Sequence, residues 1–181
     1  MRVFVHMPKC AGTSAIYLMH KYAGGEHIQW QLNVDFLRSV PRRNELISLY
    51  KSEPISVSGN PIIVGHIFPI KYVSQSNLNE RFRLVTILRD PIQRLISHYK
   101  FFTENTFNGH YLWECFQLQD GSFEEFAFSP EMQNVYASYI SGVDINMFNY
   151  IGVYEDLEAS VKTCLDLFDI SYPDGVVVPV K

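Results

Sequence analysis

Short apolar runs alternate with stretches of helical periodicity along this chain. The runs that are rich in β-branched or aromatic residues, and short enough for buried strands, cover residues 3–5, 62–64, 83–88 and 150–153. Helical spacing of apolar residues occurs at 15–22, 34–50 (interrupted at Pro41), 92–102, 111–118, 123–128, 132–141 and 157–168. Strands that alternate with helices are typical of a parallel sheet covered on both faces. The pattern predicts a three-layer α/β fold, and 181 residues suit one domain, 1–181.

Three candidate functional residues follow predicted strands within a few residues. Lys9, His66 and Arg89 come after the strands at 3–5, 62–64 and 83–88. Ligands of parallel α/β sheets collect at the carboxyl ends of the strands. We therefore expect these three side chains to face one crevice.

The first of these strand ends carries the composition of an anion site. Pro8 ends the strand because it has no amide hydrogen for a ladder, and Gly12 permits a sharp turn. Thr13 and Ser14 occupy the expected N-cap of the next helix. Free amides and the helix dipole favour an anion there, and Lys9 adds a positive charge. The alternative is an ordinary capped turn between a strand and a helix, but Lys, Gly, Thr and Ser within six residues favour the anion site.

The order of residues in this loop is not that of a standard P-loop. Lys9 precedes Gly12 by three residues, whereas the P-loop lysine directly follows the second glycine. The order Pro-Lys-x-x-Gly-Thr-Ser resembles the 5′-phosphosulfate loop of sulfotransferases that use 3′-phosphoadenosine 5′-phosphosulfate (PAPS). The full stretch Phe4–Ser14 resembles the form in carbohydrate sulfotransferases related to heparan sulfate 2-O-sulfotransferase. The resemblance implies that PAPS is bound by Lys9, Cys10, Ala11, Gly12, Thr13 and Ser14.

A second motif follows the strand at 83–88. A nucleoside triphosphatase often ends such a strand with a magnesium-binding Asp, but here Arg89 offers forked donors suited to phosphate. Ser97 follows eight residues later, about two helical turns on, and therefore on the same side. Asp90 either pairs with a cation or caps the helix. The segment Arg89–Tyr99 resembles the 3′-phosphate motif of the same sulfotransferases, which implies that Arg89 and Ser97 hold the 3′-phosphate.

The resemblance also implies a P-loop-NTPase-like sulfotransferase fold and the chemistry of sulfuryl transfer. Lys9 would neutralise charge on the oxygen between sulfur and phosphorus. His66 is the candidate base by strand-end position and by resemblance of Gly65–Pro69 to a family segment. The alternative for His66 is a buried histidine satisfied by backbone, and His110 remains a second candidate. No metal is required by this arrangement.

Aromatic residues follow the second motif. They either form an apolar wall or stack on a sugar in the acceptor site, or they pack in the core, which is the commoner role. The residues are Phe101, Phe102, Phe107, Tyr111 and Trp113.

Composition and charge limit the kinds of binding partner and cellular location that the chain suits. The net charge of −4 argues against nonspecific binding to nucleic acid. Cys10, Cys115 and Cys164 form neither a metal-ligand pattern nor a disulfide framework, so we expect reduced thiols in a cytoplasmic protein. Since the first predicted strand starts almost at Met1, we expect no signal peptide, and no apolar run is long enough to cross a bilayer.

The leading interpretation is a cytoplasmic PAPS-dependent sulfotransferase that acts on a hydroxyl of a glycan, glycolipid or small metabolite. A nucleotide or small-molecule kinase is the alternative enzyme. A degenerate module that binds 3′-phosphoadenosine 5′-phosphate (PAP) without transfer is the third interpretation. The resemblance further implies a segment after the last helix that closes over the nucleotide. Since the chain stops at Lys181, we expect a domain that is compact or cut short there.

Overall fold

The computed structural model describes residues 1–31, 43–55, 59–75, 82–105, 113, 116–117 and 121–179. Several predictions fall on the remaining residues and lie outside this description. They are the first part of the helix expected at 34–50, most of the helix expected at 111–118, and the roles of Phe107, His110, Tyr111 and Cys115.

The described elements alternate between strand and helix, as the pattern predicts. The strands are β1 Arg2–Val5, β2 Ile28–Trp30, β3 Ile62–Gly65, β4 Arg83–Leu88 and β5 Tyr150–Val153. The α-helices are α1 Gly12–Ala23, α2 Arg43–Ser52, α3 Pro69–Gln75, α4 Pro91–Glu104, α5 Phe123–Phe128, α6 Val135–Tyr139 and α7 Leu157–Leu167.

The strands form one parallel sheet in the order β2-β3-β1-β4-β5. In its centre Val3 lies beside Ile63 on one side and Leu84 on the other. Because β3, β1 and β4 are neighbours, the residues that follow them leave the sheet side by side at one edge. The predicted α/β fold class is confirmed.

Alternation along the central strands produces two hydrophobic layers. Phe4, Val64 and Val85 pack on one face against α1 and α7, together with Ile170, Val176 and Val178 from the segment after α7. Val3, Val5, Ile63 and Leu84 pack on the other face against α3 and α6. A sheet buried on both faces explains why its strands are nearly continuous apolar runs.

Strand β2 and helix α6 differ from the sequence-based expectation. Strand β2 was not predicted, because its three residues Ile28–Trp30 are too few for a clear strand pattern. The helix expected at 132–141 is wrong in its bounds, since α6 covers only Val135–Tyr139. Asn134 has a φ of 53°, in the left-handed region, and the helix begins only after it.

Gly65 gives the sharpest test of the fold. Its φ is +146°, and a Cβ there would lie 1.9 Å from the carbonyl oxygen of Gln31. Gly65→Ala should therefore lower the free energy of unfolding by at least about 3 kcal/mol in urea denaturation. The matched control is Gly59→Ala, at φ +73° with open space around it, which should cost about 1 kcal/mol. Equal losses would show that the clash with Gln31 is not the reason for glycine at position 65.

Candidate active site

The loop after β1 has an unusual backbone. We call residues Pro8–Ser14, which include the first turn of α1, the Lys9 loop. Lys9 and Ala11 have φ values of 63° and 58°, which non-glycine residues rarely adopt. Left-handed residues alternating with others turn successive N–H groups toward one side, a geometry that favours anions.

Helix α1 begins earlier than the sequence suggested. Ala11 is its N-cap, and the Ala11 carbonyl accepts hydrogen bonds from the amides of Ser14 and Ala15 at 3.0 and 3.2 Å. The prediction of Thr13 and Ser14 as caps is therefore wrong, because both lie within the first turn. The first amides of a helix have no intrahelical partner, so Gly12 and Thr13 present theirs at the end of the loop.

The small and hydroxyl residues of the Lys9 loop have three different environments. Thr13 is exposed, while Ser14 is buried and donates its hydroxyl to the carbonyl of Pro179. A Cβ on Gly12 would lie 1.9 Å from Cδ2 of His6, because the imidazole packs directly against this residue. Of the two predicted hydroxyl donors, Thr13 is therefore exposed, whereas Ser14 is hydrogen-bonded to the segment after α7.

Lys9 lies on an aromatic face and close to a second cation. Its Nζ is 3.9 Å from the centroid of the Phe101 ring on α4, within the range of a cation–π contact. Burial and then the positive charge of Arg89 lower the pKa of Lys9, and the carboxylate of Glu104 opposes them. The structure thus brings Lys9 and Arg89 near enough to interact electrostatically.

Arg89 directly follows β4, and its guanidinium, like the ammonium of Lys9, lies over an aromatic ring. Its Cζ lies 4.0 Å from the centroid of the Tyr154 ring. Its Nε is buried and makes no hydrogen bond in the described part of the chain. Half-buried Ser97 lies two turns along α4. Asp90 caps this helix by accepting a hydrogen bond from the amide of Gln93 at 2.9 Å, which confirms one of its two predicted roles.

Cys10 is an interior residue of the Lys9 loop. The side chain is buried, with Sγ 3.4 Å from the hydroxyl of Tyr136 and 3.5 Å from the carbonyl of Pro8. Burial raises the pKa of Cys10, although the Tyr136 hydrogen bond and the charges of Arg94 and Arg89 oppose it. The side chain therefore remains a thiol near neutral pH.

His66 follows β3 and is oriented by the backbone that directly follows β1. Its Nδ1 lies 2.7 Å from the carbonyl oxygen of His6 and 3.5 Å from the hydroxyl of Tyr139, and its ring stacks on that of His6 at 4.3 Å. A carbonyl only accepts, so Nδ1 carries the hydrogen and Nε2 carries the lone pair. This tautomer suits a base, and the same bond also matches the alternative of a histidine satisfied by backbone.

Several side chains in and after the second motif belong to the interior. His98 is buried, with Nδ1 3.3 Å from Nη1 of Arg94, and its ring packs against Phe102. Phe102 and the partly buried Trp113 belong to a third apolar cluster, whose buried members are Phe102, Phe116, Phe126 and Met132. Core packing is thus the observed role of most of the described aromatic residues after the second motif.

Three aromatic contacts were missed at the sequence level. Phe101 supports Lys9, Tyr154 supports Arg89, and Tyr136 contacts both strand ends. Phe101 follows Ser97 by four residues, so helical spacing gave a usable signal for it. Tyr136 and Tyr154 are distant in sequence from both motifs, and nothing in the local pattern pairs them with Arg89.

Two kinds of feature are absent from the described residues. They contain no group of three or more His, Cys, Asp or Glu side chains that could hold a metal ion. They also contain no helix with the length and apolar character needed to span a bilayer.

Comparison with known proteins gives the family. The sulfotransferase family model matches residues 3–176, so this chain belongs to the sulfotransferase family. No curated protein sequence matches the chain.

Solved structures of low sequence identity are also similar. Mouse sulfotransferase SULT7A1 complexed with PAP is 14% identical, with a TM-score of 0.46, over 96% of this chain and 59% of that one. A sulfotransferase from Alicyclobacillus acidocaldarius is 12% identical, with a TM-score of 0.44, over 94% of this chain and 81% of that one. The chain thus spans little more than half the length of the mouse protein.

The environment of His6 predicts a loss of stability in acid. Burial, aided by the charges of His66 and Lys9, lowers the pKa of His6 to about 3, against about 6.5 in an unfolded chain. Below about pH 6.5, His6 therefore binds a proton in the unfolded state but stays neutral in the folded state. This group should remove up to about 2 kcal/mol of unfolding free energy between pH 7 and pH 5.

Urea denaturation of His6→Asn at both pH values checks this expectation. The variant should lack this share of the acid loss, whereas His27→Gln, at an exposed surface position, should retain it. An acid loss as large in His6→Asn as in the wild type would contradict the assignment.

Proposed function

We propose that this protein transfers a sulfuryl group from PAPS to a hydroxyl of a glycan, glycolipid or small metabolite. The observation that carries the proposal is the proximity of Lys9 and Arg89 at the ends of adjacent strands, where the buried Nε of Arg89 has no hydrogen bond from the described residues. Two neighbouring cations suit a ligand with an anionic group at each end. Membership of the sulfotransferase family supports the same reaction.

The residues present fit such a donor. The amides of Gly12 and Thr13 and the exposed hydroxyl of Thr13 would receive the 5′-phosphate. The forked donors of Arg89, with the hydroxyl of Ser97, would receive the 3′-phosphate. An anion there would also satisfy the buried Nε of Arg89, which the rest of the described chain does not.

The proposed chemistry assigns one role to each of two side chains. Nε2 of His66 accepts the proton of the acceptor hydroxyl as its oxygen bonds to sulfur. The bond between sulfur and the bridging oxygen breaks, and that oxygen keeps the electron pair as PAP leaves. The ammonium of Lys9 stabilises the charge that grows on this oxygen. No metal ion takes part in the proposed step.

The acceptor class and the cellular location are also part of this proposal. A carbohydrate hydroxyl follows from the likeness of the Lys9 loop to that of carbohydrate sulfotransferases. A cytoplasmic location is supported by Cys10 and Cys164, which are free, buried thiols.

Donor binding tests the proposal before any acceptor is known. Isothermal calorimetry should find that the wild type binds PAP more tightly than adenosine 5′-phosphate or ATP. Arg89→Ala should weaken PAP about 30-fold, since a charge-assisted hydrogen bond is lost, and change adenosine 5′-phosphate less than threefold. Lys162→Ala, which removes a surface charge paired with Glu158, is the control for net charge. Equal losses for both ligands would refute the 3′-phosphate role, and magnesium-dependent ATP binding with phosphate transfer would indicate a kinase.

Measuring sulfate transfer and PAP affinity on the same variants should separate residues that act in the reaction from residues that bind the donor. Lys9→Ala and His66→Ala should each lower labelled sulfate transfer from PAPS to pooled glycans and metabolites at least about 100-fold. His66→Ala should keep PAP affinity within about threefold, because His66 is not a phosphate contact. Lys9→Ala should lower PAP affinity much less than it lowers transfer, because its ammonium acts mainly on the charge that grows on the leaving oxygen. Lys162→Ala and His27→Gln are the matched controls. Normal transfer by His66→Ala would move the base to another residue, and a wild type that binds PAP without transfer would favour the degenerate module.

A further inference from the structure

The hydroxyl of Tyr136 contacts both strand ends that carry the proposed phosphate contacts. It donates to the carbonyl of Arg89 at 2.7 Å and accepts from the amide of Arg89 at 3.2 Å. It also lies 3.4 Å from Sγ of Cys10, in the middle of the Lys9 loop. One oxygen atom thus joins the backbone after β4 to the loop after β1.

The hydrogen-bonding capacity of this hydroxyl is fully used. A phenol has one hydrogen to donate and two lone pairs to accept with. The hydrogen goes to the Arg89 carbonyl, and one lone pair accepts from the Arg89 amide. The other lone pair faces the Cys10 thiol, whose single hydrogen is shared between this hydroxyl and the carbonyl of Pro8. Burial raises the pKa of Tyr136 above its ordinary value, so the hydroxyl keeps its hydrogen at physiological pH.

Tyr136 is anchored by the packing of α6 and by Arg94. Its neighbours Val135 and Tyr139 on α6 are buried in the apolar layer that also contains Val5 and Leu84 of β1 and β4. The guanidinium of buried Arg94 lies 5.8 Å from the centroid of the Tyr136 ring. The position of the hydroxyl is therefore fixed by the same core that fixes the two strands.

We propose that Tyr136 is a positioning residue that fixes the spacing between the Lys9 loop and Arg89. The inference rests on the proposed function, because the spacing matters only for a ligand that reaches both. A ligand with two linked phosphates gains affinity when the second site is held at the right distance from the first. Without the hydroxyl, each site keeps its own donors, but their separation is no longer set by a shared contact.

The test is a comparison of one bisphosphate with two monophosphates. Calorimetry with PAP, adenosine 5′-phosphate and adenosine 3′-phosphate is carried out on the wild type and on Tyr136→Phe. The variant should lose about tenfold in PAP affinity, on the scale of one or two hydrogen bonds, and less than about twofold for either monophosphate. A purely structural loss would weaken all three ligands alike.

Two further variants keep the outcome interpretable. Ser129→Ala is the matched control, because it also removes a buried hydroxyl that donates to a backbone carbonyl, that of Phe126 at 2.9 Å, away from both motifs. It should leave all three affinities unchanged. Cys10→Ala removes only the contact with the Lys9 loop and should give a smaller loss, again confined to PAP. Thermal unfolding of each variant confirms that it is folded at the temperature of the titration.

The possible outcomes separate this inference from the proposed function. If wild-type protein binds PAP no better than the monophosphates, the proposed donor is wrong and the inference falls with it. If the wild type prefers PAP and Tyr136→Phe keeps the whole preference, the donor stands and the role of Tyr136 is refuted. Equal weakening of all three ligands by Tyr136→Phe likewise refutes it.

Discussion

The closeness of two positive side chains is the constraint on which the site depends. Lys9 and Arg89 repel each other, and that repulsion contributes to the lowered pKa of Lys9. Their charged groups rest on the aromatic faces of Phe101 and Tyr154, which attract a cation without neutralising it. Glu104 offsets part of the repulsion at Lys9. The arrangement keeps positive charge at one edge of the sheet, where a bound anion would relieve the repulsion.

The parallel sheet makes this closeness possible, and the backbone near the strand ends makes it tight. β3, β1 and β4 are neighbours, so the residues after them leave the sheet together. Gly65 permits the backbone of Gln31 to pass within contact distance, and Gly12 permits the ring of His6 to cover the start of α1. The carbonyl of His6 then fixes the ring of His66. The site is thus built mostly from strand ends and the main chain beside them.

The sequence predicted the fold class and the strand ends because both depend on local patterns. Apolar runs revealed four of the five strands in the described part of the chain, and the polar residues that follow three of them, Lys9, His66 and Arg89, marked the edge of the sheet. It missed the three-residue strand β2 and misplaced the start of α1, which depends on the left-handed backbone of Ala11. Tyr136 and Tyr154 could not be predicted, because they reach Arg89 only through the packing of α6 and of the turn after β5. Long-range contacts of this kind leave no spacing in the chain.

The hydrogen bond from Ser14 to Pro179 connects the C-terminal part of the described chain to the Lys9 loop. A hydroxyl has a single hydrogen, so Ser14 donates either to the Pro179 carbonyl or to an incoming oxyanion, never to both. An oxyanion that takes this hydrogen would release the carbonyl of Pro179, whereas one held only by Gly12 and Thr13 would leave that bond in place. A spectroscopic label near Pro179 would distinguish the two cases from more than 160 residues away along the chain.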